Sequence, residues 1–201
     1  MKRSAAAGKS ASWRRQLAAA PEESRRFTVL FVGRFYRRKR LQLLLEAAAS
    51  LQAAIPDLEV RIVGNGPCNA MWRAAARRLR LQDTVTWLGD VTRARLAAEY
   101  NRAHVFCLPS VQEGFGIVLL EAMAAGKPVA AARAAAIPEV APHAALVEPD
   151  DAHALAGAIL DLHNSPPARA AQSARGRQWV ERFDARLVAR QFVEAITSPP
   201  A

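Results

Sequence analysis

The sequence predicts an α/β fold, a Rossmann-like parallel sheet of about six strands with helices on both faces. Three observations carry this expectation. Short apolar runs of strand length alternate with longer stretches of helical apolar spacing over five or six units, and strands separated by helices in this way pair in parallel. The strand ends fall on glycine or proline turns, at Gly33-Arg34, Gly64-Asn65-Gly66, Gly89-Asp90 and Pro109-Ser110, beyond which such a sheet opens its ligand crevice. A chain of 201 residues, 51% hydrophobic and 23% charged, suffices for one ordinary soluble domain but not comfortably for two.

Residues 1–26 are rich in Ala, Ser, Arg and Glu, with Pro21 interrupting. They read as a basic arm or linker with a short helix near 13–20, ahead of a domain covering 27–197. Residues 27–32 form a buried strand closed by Gly33. Apolar residues at Leu41, Leu44, Leu45, Ala48 and Leu51 put a helix over 40–54, stopped by Pro56. A strand at 58–63 ends in Gly64-Asn65-Gly66-Pro67, a basic amphipathic helix covers 68–81, and a short strand at 84–88 meets Gly89. Thr92 is a candidate N-cap for a helix over 92–102. A strand at 104–108 leads through a loop to a helix at 117–125, which Gly126 and Pro128 terminate. Strands at 129–132 and 145–147 follow, then helices near 151–163, 167–182 and 184–196. Leu96 and Tyr100 read as core, and Trp72 and Trp179 as core or domain-contact residues.

Charge is unevenly placed. Residues 1–40 carry twelve Lys/Arg and two glutamates, which is the whole formal net charge of +10; the remaining 161 residues hold sixteen basic and sixteen acidic side chains. A neutral body is unlike a duplex-binding domain, whose cations line one face, so no specific nucleic-acid partner is expected. The arm reads as a solvated tail with a contact to an anionic membrane surface in reserve, where each cation gains ~1 kcal/mol. Cys68 and Cys107 lack metal-ligand spacing and suggest a reducing compartment. With no apolar run of transmembrane length and no signal-type apolar stretch, the expected location is cytoplasmic, or peripheral to a membrane through the arm. His104, His143, His153 and His163 have no ligand spacing, no Asp-x-Asp pair is present, and Ser110 lacks a nucleophile elbow. No metal is expected.

The stretch from Glu113 to Val129 carries the chemistry. It reads Glu113-Gly114-Phe115-Gly116-Ile117-Val118-Leu119-Leu120-Glu121-Ala122-Met123-Ala124-Ala125-Gly126-Lys127-Pro128-Val129, a glycine loop opening a helix that leads to a strand. Gly114 and Gly116 permit close backbone approach, and the free amides of the first helical turn can point at an anion. Glu113 sits in the loop beside that anion hole. Glu121, about one turn in, can accept from two sugar or ribose hydroxyls at once.

This wording resembles the signature of the GT-B glycosyltransferases of the group 1 type (family 4). The resemblance implies that Glu113 contacts the transferred sugar and Glu121 the nucleotide ribose. It places the backbone of Gly114, Phe115, Gly116, Ile117, Val118 and Leu119 along the donor. Gly33-Arg34 followed by Lys39 is similar to the family's Gly-Arg…Lys loop, so Arg34 and Lys39 would hold the diphosphate. Cations there stabilise the charge that develops as the glycosidic bond breaks. Arg37 and Arg40 read as a solvated helix start, and Arg38 stays open between the two roles. Trp87-Leu88-Gly89-Asp90-Val91 is similar to the family's segment beside the base, with Val91 as a backbone contact. Catalytic roles thus fall to Glu113, Arg34 and Lys39. The implied donor is a UDP-, GDP- or ADP-linked sugar, a substrate and not a cofactor; no cofactor is expected.

Two departures stand out. Alanines occupy turns that are usually glycine-rich in the family, at Arg133-Ala134-Ala135-Ala136 and Pro142-His143-Ala144-Ala145, and an alanine held at positive φ costs ~1 kcal/mol or more. The family's enzymes also have two such domains with the active site between them, and this chain resembles only the C-terminal, donor-binding one. An N-terminal GT-B domain partner is therefore implied. The resemblance points to a retaining hexosyltransferase-like enzyme; the alternatives are a non-catalytic donor-binding half and a protein that binds anionic surfaces through residues 1–40.

Overall fold

Thr28–Val32 (β1) is buried at every position, as expected of a strand covered on both faces, which reads as a continuous apolar run instead of an alternating one. The computed structural model describes residues 16–17 and 24–183. Around β1 the chain builds Glu59–Val63 (β2), Val85–Gly89 (β3), Val105–Leu108 (β4), Val129–Ala132 (β5) and Ala145–Val147 (β6). All five pairings are parallel, in the order β3-β2-β1-β4-β5-β6. The chain grows outward from β1 to one edge, then returns beside β1 with β4 and grows to the other.

The flanking helices are Leu41–Leu51 (α1), Asn69–Arg78 (α2), Arg93–Arg102 (α3), Ile117–Ala124 (α4), the single turn Ile137–Val140 (α5), Ala152–Asn164 (α6) and Pro166–Val180 (α7). Their α1–α6 and α4–α7 contacts are the main packing between helices. Thr92 caps α3 as expected, its hydroxyl accepting from the Arg95 amide at 3.3 Å. Asp151 and Ser165 cap α6 and α7 in the same way. Trp72 and Tyr100 are among the largest fully buried side chains. The half-buried Trp179 donates its indole N–H to the Val140 carbonyl at 3.0 Å. His104 is a satisfied interior histidine whose Nδ1 accepts from the Thr28 amide at 3.1 Å.

Four local findings differ from the sequence expectation. Helix α1 begins at Leu41 after a separate 3-10 turn, Arg37–Lys39, because Arg40 sits in the left-handed region (φ 48°, ψ 31°). Arg40 is also not simply solvated: its Nε lies 2.8 Å from Asp150 Oδ1. The alanine turn before α5 carries the expected strain at Ala135 (φ 48°), whereas residues 142–145 have no positive φ. Leu17, in the stretch read as a linker, is 2% exposed and joins the core, while Asn101 Nδ2 donates to the neighbouring Gln16 carbonyl at 2.9 Å. The expected helix at 184–196 lies outside the described residues.

Strand β2 also buries charge that an apolar reading of the strand does not foresee. Arg61 Nε lies 2.6 Å from Glu99 Oε2 on α3, and its Nη1 lies 2.7 Å from Glu59 Oε1. The Glu99 hydrogen bond, working against burial, raises the Arg61 pKa, and Glu59 adds to the rise. Burial alone would raise the Glu59 pKa, but its hydrogen bond to Arg61 and the charges of Arg61, Arg102 and Arg26 together lower it.

Candidate active site

In an open parallel sheet the crevice lies where the chain direction of growth reverses, because the loops leaving the two central strands turn to opposite sides there. Here that point lies between β1 and β4, which are neighbours with Val29 opposite Val105 and Leu30 opposite Phe106. The loop leaving β1 carries Gly33, Arg34 and Lys39, and the loop leaving β4 carries Glu113 and the glycines that open α4.

Backbone hydrogen bonds stitch these loops together. The Val111 amide donates to the Arg38 carbonyl at 2.9 Å, the Phe35 amide to Asn65 O at 2.9 Å, and the Gly64 amide to Gly89 O at 2.7 Å. The Ser110 hydroxyl, fully buried, bonds to the Arg38 and Gln112 carbonyls at 3.1 and 3.2 Å. Gly64 is needed for this closeness: at φ +119° its backbone suits glycine, and a Cβ would collide with the Gly33 carbonyl.

Across this junction Lys39 Nζ donates to Glu113 Oε1 in a nearly buried ion pair, with side-chain exposures of 12% and 10%. Arg34, in the same loop as Lys39, is exposed and makes no ion pair among the described residues. Arg38 lays its guanidinium over the Tyr36 ring, 4.7 Å from the centroid, an engagement that neither open reading of Arg38 anticipates.

The start of α4 is built by Gly116 in the left-handed region (φ 65°, ψ 49°), where a Cβ would come within 2.9 Å of Leu119 Cδ1. The Ile117 and Val118 amides that follow have no intrahelical acceptor, but the Leu119 amide, expected to be free, turns back to donate to the Gly116 carbonyl at 2.8 Å. Gly114 meets no such demand: no atom lies within 4 Å of the place its Cβ would take. Phe115 and Ile117 are 50% and 64% exposed, with the Phe115 ring edge-on to Phe183 at 5.7 Å. Val118 and Leu119 turn inward, Leu119 fully buried.

Glu121, half-buried on the fifth residue of α4, accepts from the Tyr100 hydroxyl at 3.0 Å. The buried Tyr100 thus has a polar engagement that its reading as core did not include. Val91 packs half-buried at the carboxyl end of β3, two strands from β1. The structure therefore brings Lys39 onto Glu113 just ahead of α4, sets Glu121 one turn into that helix and Val91 at the end of β3, and leaves Arg34 exposed in the loop leaving β1. Cys68 and Cys107 are free and buried, and burial raises the Cys107 thiol pKa. Among the described residues no three His, Cys, Asp or Glu side chains are grouped to hold a metal ion, and no helix is long and apolar enough to cross a membrane.

Comparison with known proteins places this geometry. The model of the family "Glycosyl transferases group 1" matches residues 14–179. A phosphatidyl-myo-inositol mannosyltransferase of Mycolicibacterium smegmatis is 37% identical over 178 residues, 86% of this chain and 45% of the relative. A D-inositol 3-phosphate glycosyltransferase of Pseudarthrobacter chlorophenolicus is 36% identical over 150 residues, 71% of this chain and 36% of the relative. Sucrose-phosphate synthase of Thermosynechococcus elongatus superposes with a TM-score of 0.74 at 32% identity, over 92% of this chain and 48% of that one. The C-terminal domain of a group 1 glycosyl transferase from Francisella tularensis shares the fold, with a TM-score of 0.74 at 21% identity over 85% of this chain and 98% of that domain. The chain spans about half the length of the first curated relatives it matches. The family match over residues 14–179 and the shared parallel-sheet fold show that the chain belongs to the group 1 glycosyl transferases and has the architecture of the C-terminal half of a GT-B fold.

Proposed function

We propose that the chain binds a nucleoside-diphosphate sugar and serves as the donor half of a retaining glycosyltransferase. The Lys39–Glu113 pair beside the α4 N-terminus carries this reading. A cation, a carboxylate and a set of oriented amides at one point suit a ligand that presents phosphate oxygens next to sugar hydroxyls. Lys39 and Arg34 would take the diphosphate, Lys39 as a point charge and Arg34 as a fork. Glu113 would accept from hydroxyls of the transferred sugar, Glu121 from the ribose, and the Val91 backbone would meet the base. The amides from Gly114 to Val118 would line the phosphates and nucleoside, with Leu119, whose amide is held by the Gly116 carbonyl, close behind them.

As the bond from the anomeric carbon to the diphosphate oxygen breaks, its electron pair stays on the diphosphate. Lys39, Arg34 and the helix terminus then offset more charge than in the ground state. The departing phosphate accepts the acceptor's proton on the face from which it leaves, and the acceptor oxygen bonds to that same face. No cofactor enters this scheme. The acceptor site would come from an N-terminal GT-B domain, and the basic residues of 1–26 would hold the assembly to an anionic membrane surface on its cytoplasmic side. The relatives' names make mannosyl donors and inositol-bearing acceptors the first pair to try.

Calorimetric titration of the chain with UDP-, GDP- and ADP-sugars tests the reading without the partner domain. One base series should bind. Lys39→Ala should weaken the nucleoside diphosphate by about tenfold or more and the nucleoside little, since a charge-assisted bond is lost. Glu121→Ala should weaken both. Equal affinity of the wild type and both variants for all three diphosphates would exclude the assignment.

A further inference from the structure

The hydroxyl of Tyr100 is aimed at the carboxylate proposed to meet the ribose. Tyr100 stands on α3, outside the glycine loop and its helix. It is fully buried, with its ring 5.8 Å from that of Phe106 on β4. Its hydroxyl lies 3.0 Å from Glu121 Oε2 and 3.3 Å from the Val118 carbonyl. A phenol has one hydrogen to give, and the charged acceptor at the shorter distance is the stronger claimant. Burial first, and then the neighbouring Glu121 charge, raise the phenol's pKa well above its ordinary value, so it remains a donor throughout the working pH range.

A glutamate on a helix surface ordinarily samples several rotamers, and ordering one against water costs entropy. With Oε2 held from α3, the Glu121 carboxylate has a set orientation before any ligand arrives. Two vicinal ribose hydroxyls need two acceptor directions at once, so orientation matters more to a diol than to a lone hydroxyl. We infer that Tyr100 is a positioning residue that holds Glu121 for a cis-diol and thereby gives the site its preference for ribose over deoxyribose nucleotides. The inference deepens the proposed function and rests on its reading of Glu121.

The test uses whichever of UDP, GDP and ADP binds the wild-type chain most tightly, together with its 2′,3′-dideoxy counterpart, titrated into wild type, Tyr100→Phe, Glu121→Ala and the double variant. The wild type should prefer the ribose form by about tenfold or more, because a site built around hydroxyl contacts is left unpaired by the deoxy ligand. Tyr100→Phe should lose most of that preference while its affinity for the dideoxy form stays within about twofold. Added to Glu121→Ala, it should change neither affinity. Glu121→Asp is a second probe: it keeps the charge but withdraws the carboxylate from Tyr100, and should lose the preference to a similar extent. Retention of the preference in Tyr100→Phe or Glu121→Asp, or equal weakening of both ligands by Tyr100→Phe, would overturn the positioning role and leave the ribose reading of Glu121 standing. A wild type that binds no nucleotide, or does not tell the two forms apart, would remove both.

Discussion

Lys39 and Glu113 stand 74 positions apart in the chain and meet as an ion pair, whereas Arg61 and Glu99, 38 apart, meet as another that has nothing to do with the candidate site. The two pairs show what residue types can and cannot announce. Lys39, Glu113 and Glu121 could be singled out because the stretches around them resemble the family's motifs; of Gly33, Gly114 and Gly116, only Gly116 is held at positive φ. Arg61 could not be singled out, since a lone arginine within Glu-Val-Arg-Ile-Val gives no hint of a partner on a later helix. The hydroxyl contact of Tyr100 was hidden for the same reason: periodicity marks the ring as core and is silent on the oxygen at its end. Arg61→Ala should lower stability by about 3 kcal/mol or more, because it leaves Glu59 and Glu99 buried without their shared cation. Urea denaturation measures this, and a loss under ~1 kcal/mol, the scale of a surface pair, would show the network to be solvated.

Among the elements, strands were readable to within one residue and long helices to within three, the helices over 40–54 and 68–81 ending early at Leu51 and Arg78, because apolar runs and caps such as Thr92 mark starts better than ends. The 3-10 turn Arg37–Lys39 and the single turn Ile137–Val140 were missed, each being too short to display a period. Turn geometry leads to two predictions of opposite sign. Gly64→Ala should be strongly destabilising, by ~3 kcal/mol or more, since it combines a disfavoured φ with a collision against the Gly33 carbonyl. The displaced loop carries Arg34 and Lys39, so any nucleotide affinity should fall along with the melting temperature. Ala135→Gly should do the reverse, raising stability by ~0.5–1 kcal/mol, because glycine relieves the left-handed strain at some entropic cost. A melting temperature unchanged or lowered by Ala135→Gly would mean that the turn is not strained.

At the scale of the molecule, strand–helix alternation was enough to predict a parallel sheet but not its order. The reversal between β1 and β4 emerges only when strands distant in sequence are seen to pair, and that reversal is what brings the two halves of the candidate site together. The same sheet couples global stability to pH through β2. Glu59 has its pKa lowered from 4.5 in the folded chain, so the folded state holds fewer protons than the unfolded state as the pH falls through that range. Its contribution is therefore complete above the unfolded value and is lost as acid carries the pH down through the folded one. Glu59→Gln removes the titration together with the charge. The variant should be less stable than wild type at neutral pH and should show a shallower loss between about pH 5 and pH 3. Denaturation midpoints collected across that range would expose the difference in slope. Parallel acid limbs would mean that Glu59 is not held in its charged form by Arg61, and that the buried network does not link the sheet's stability to pH.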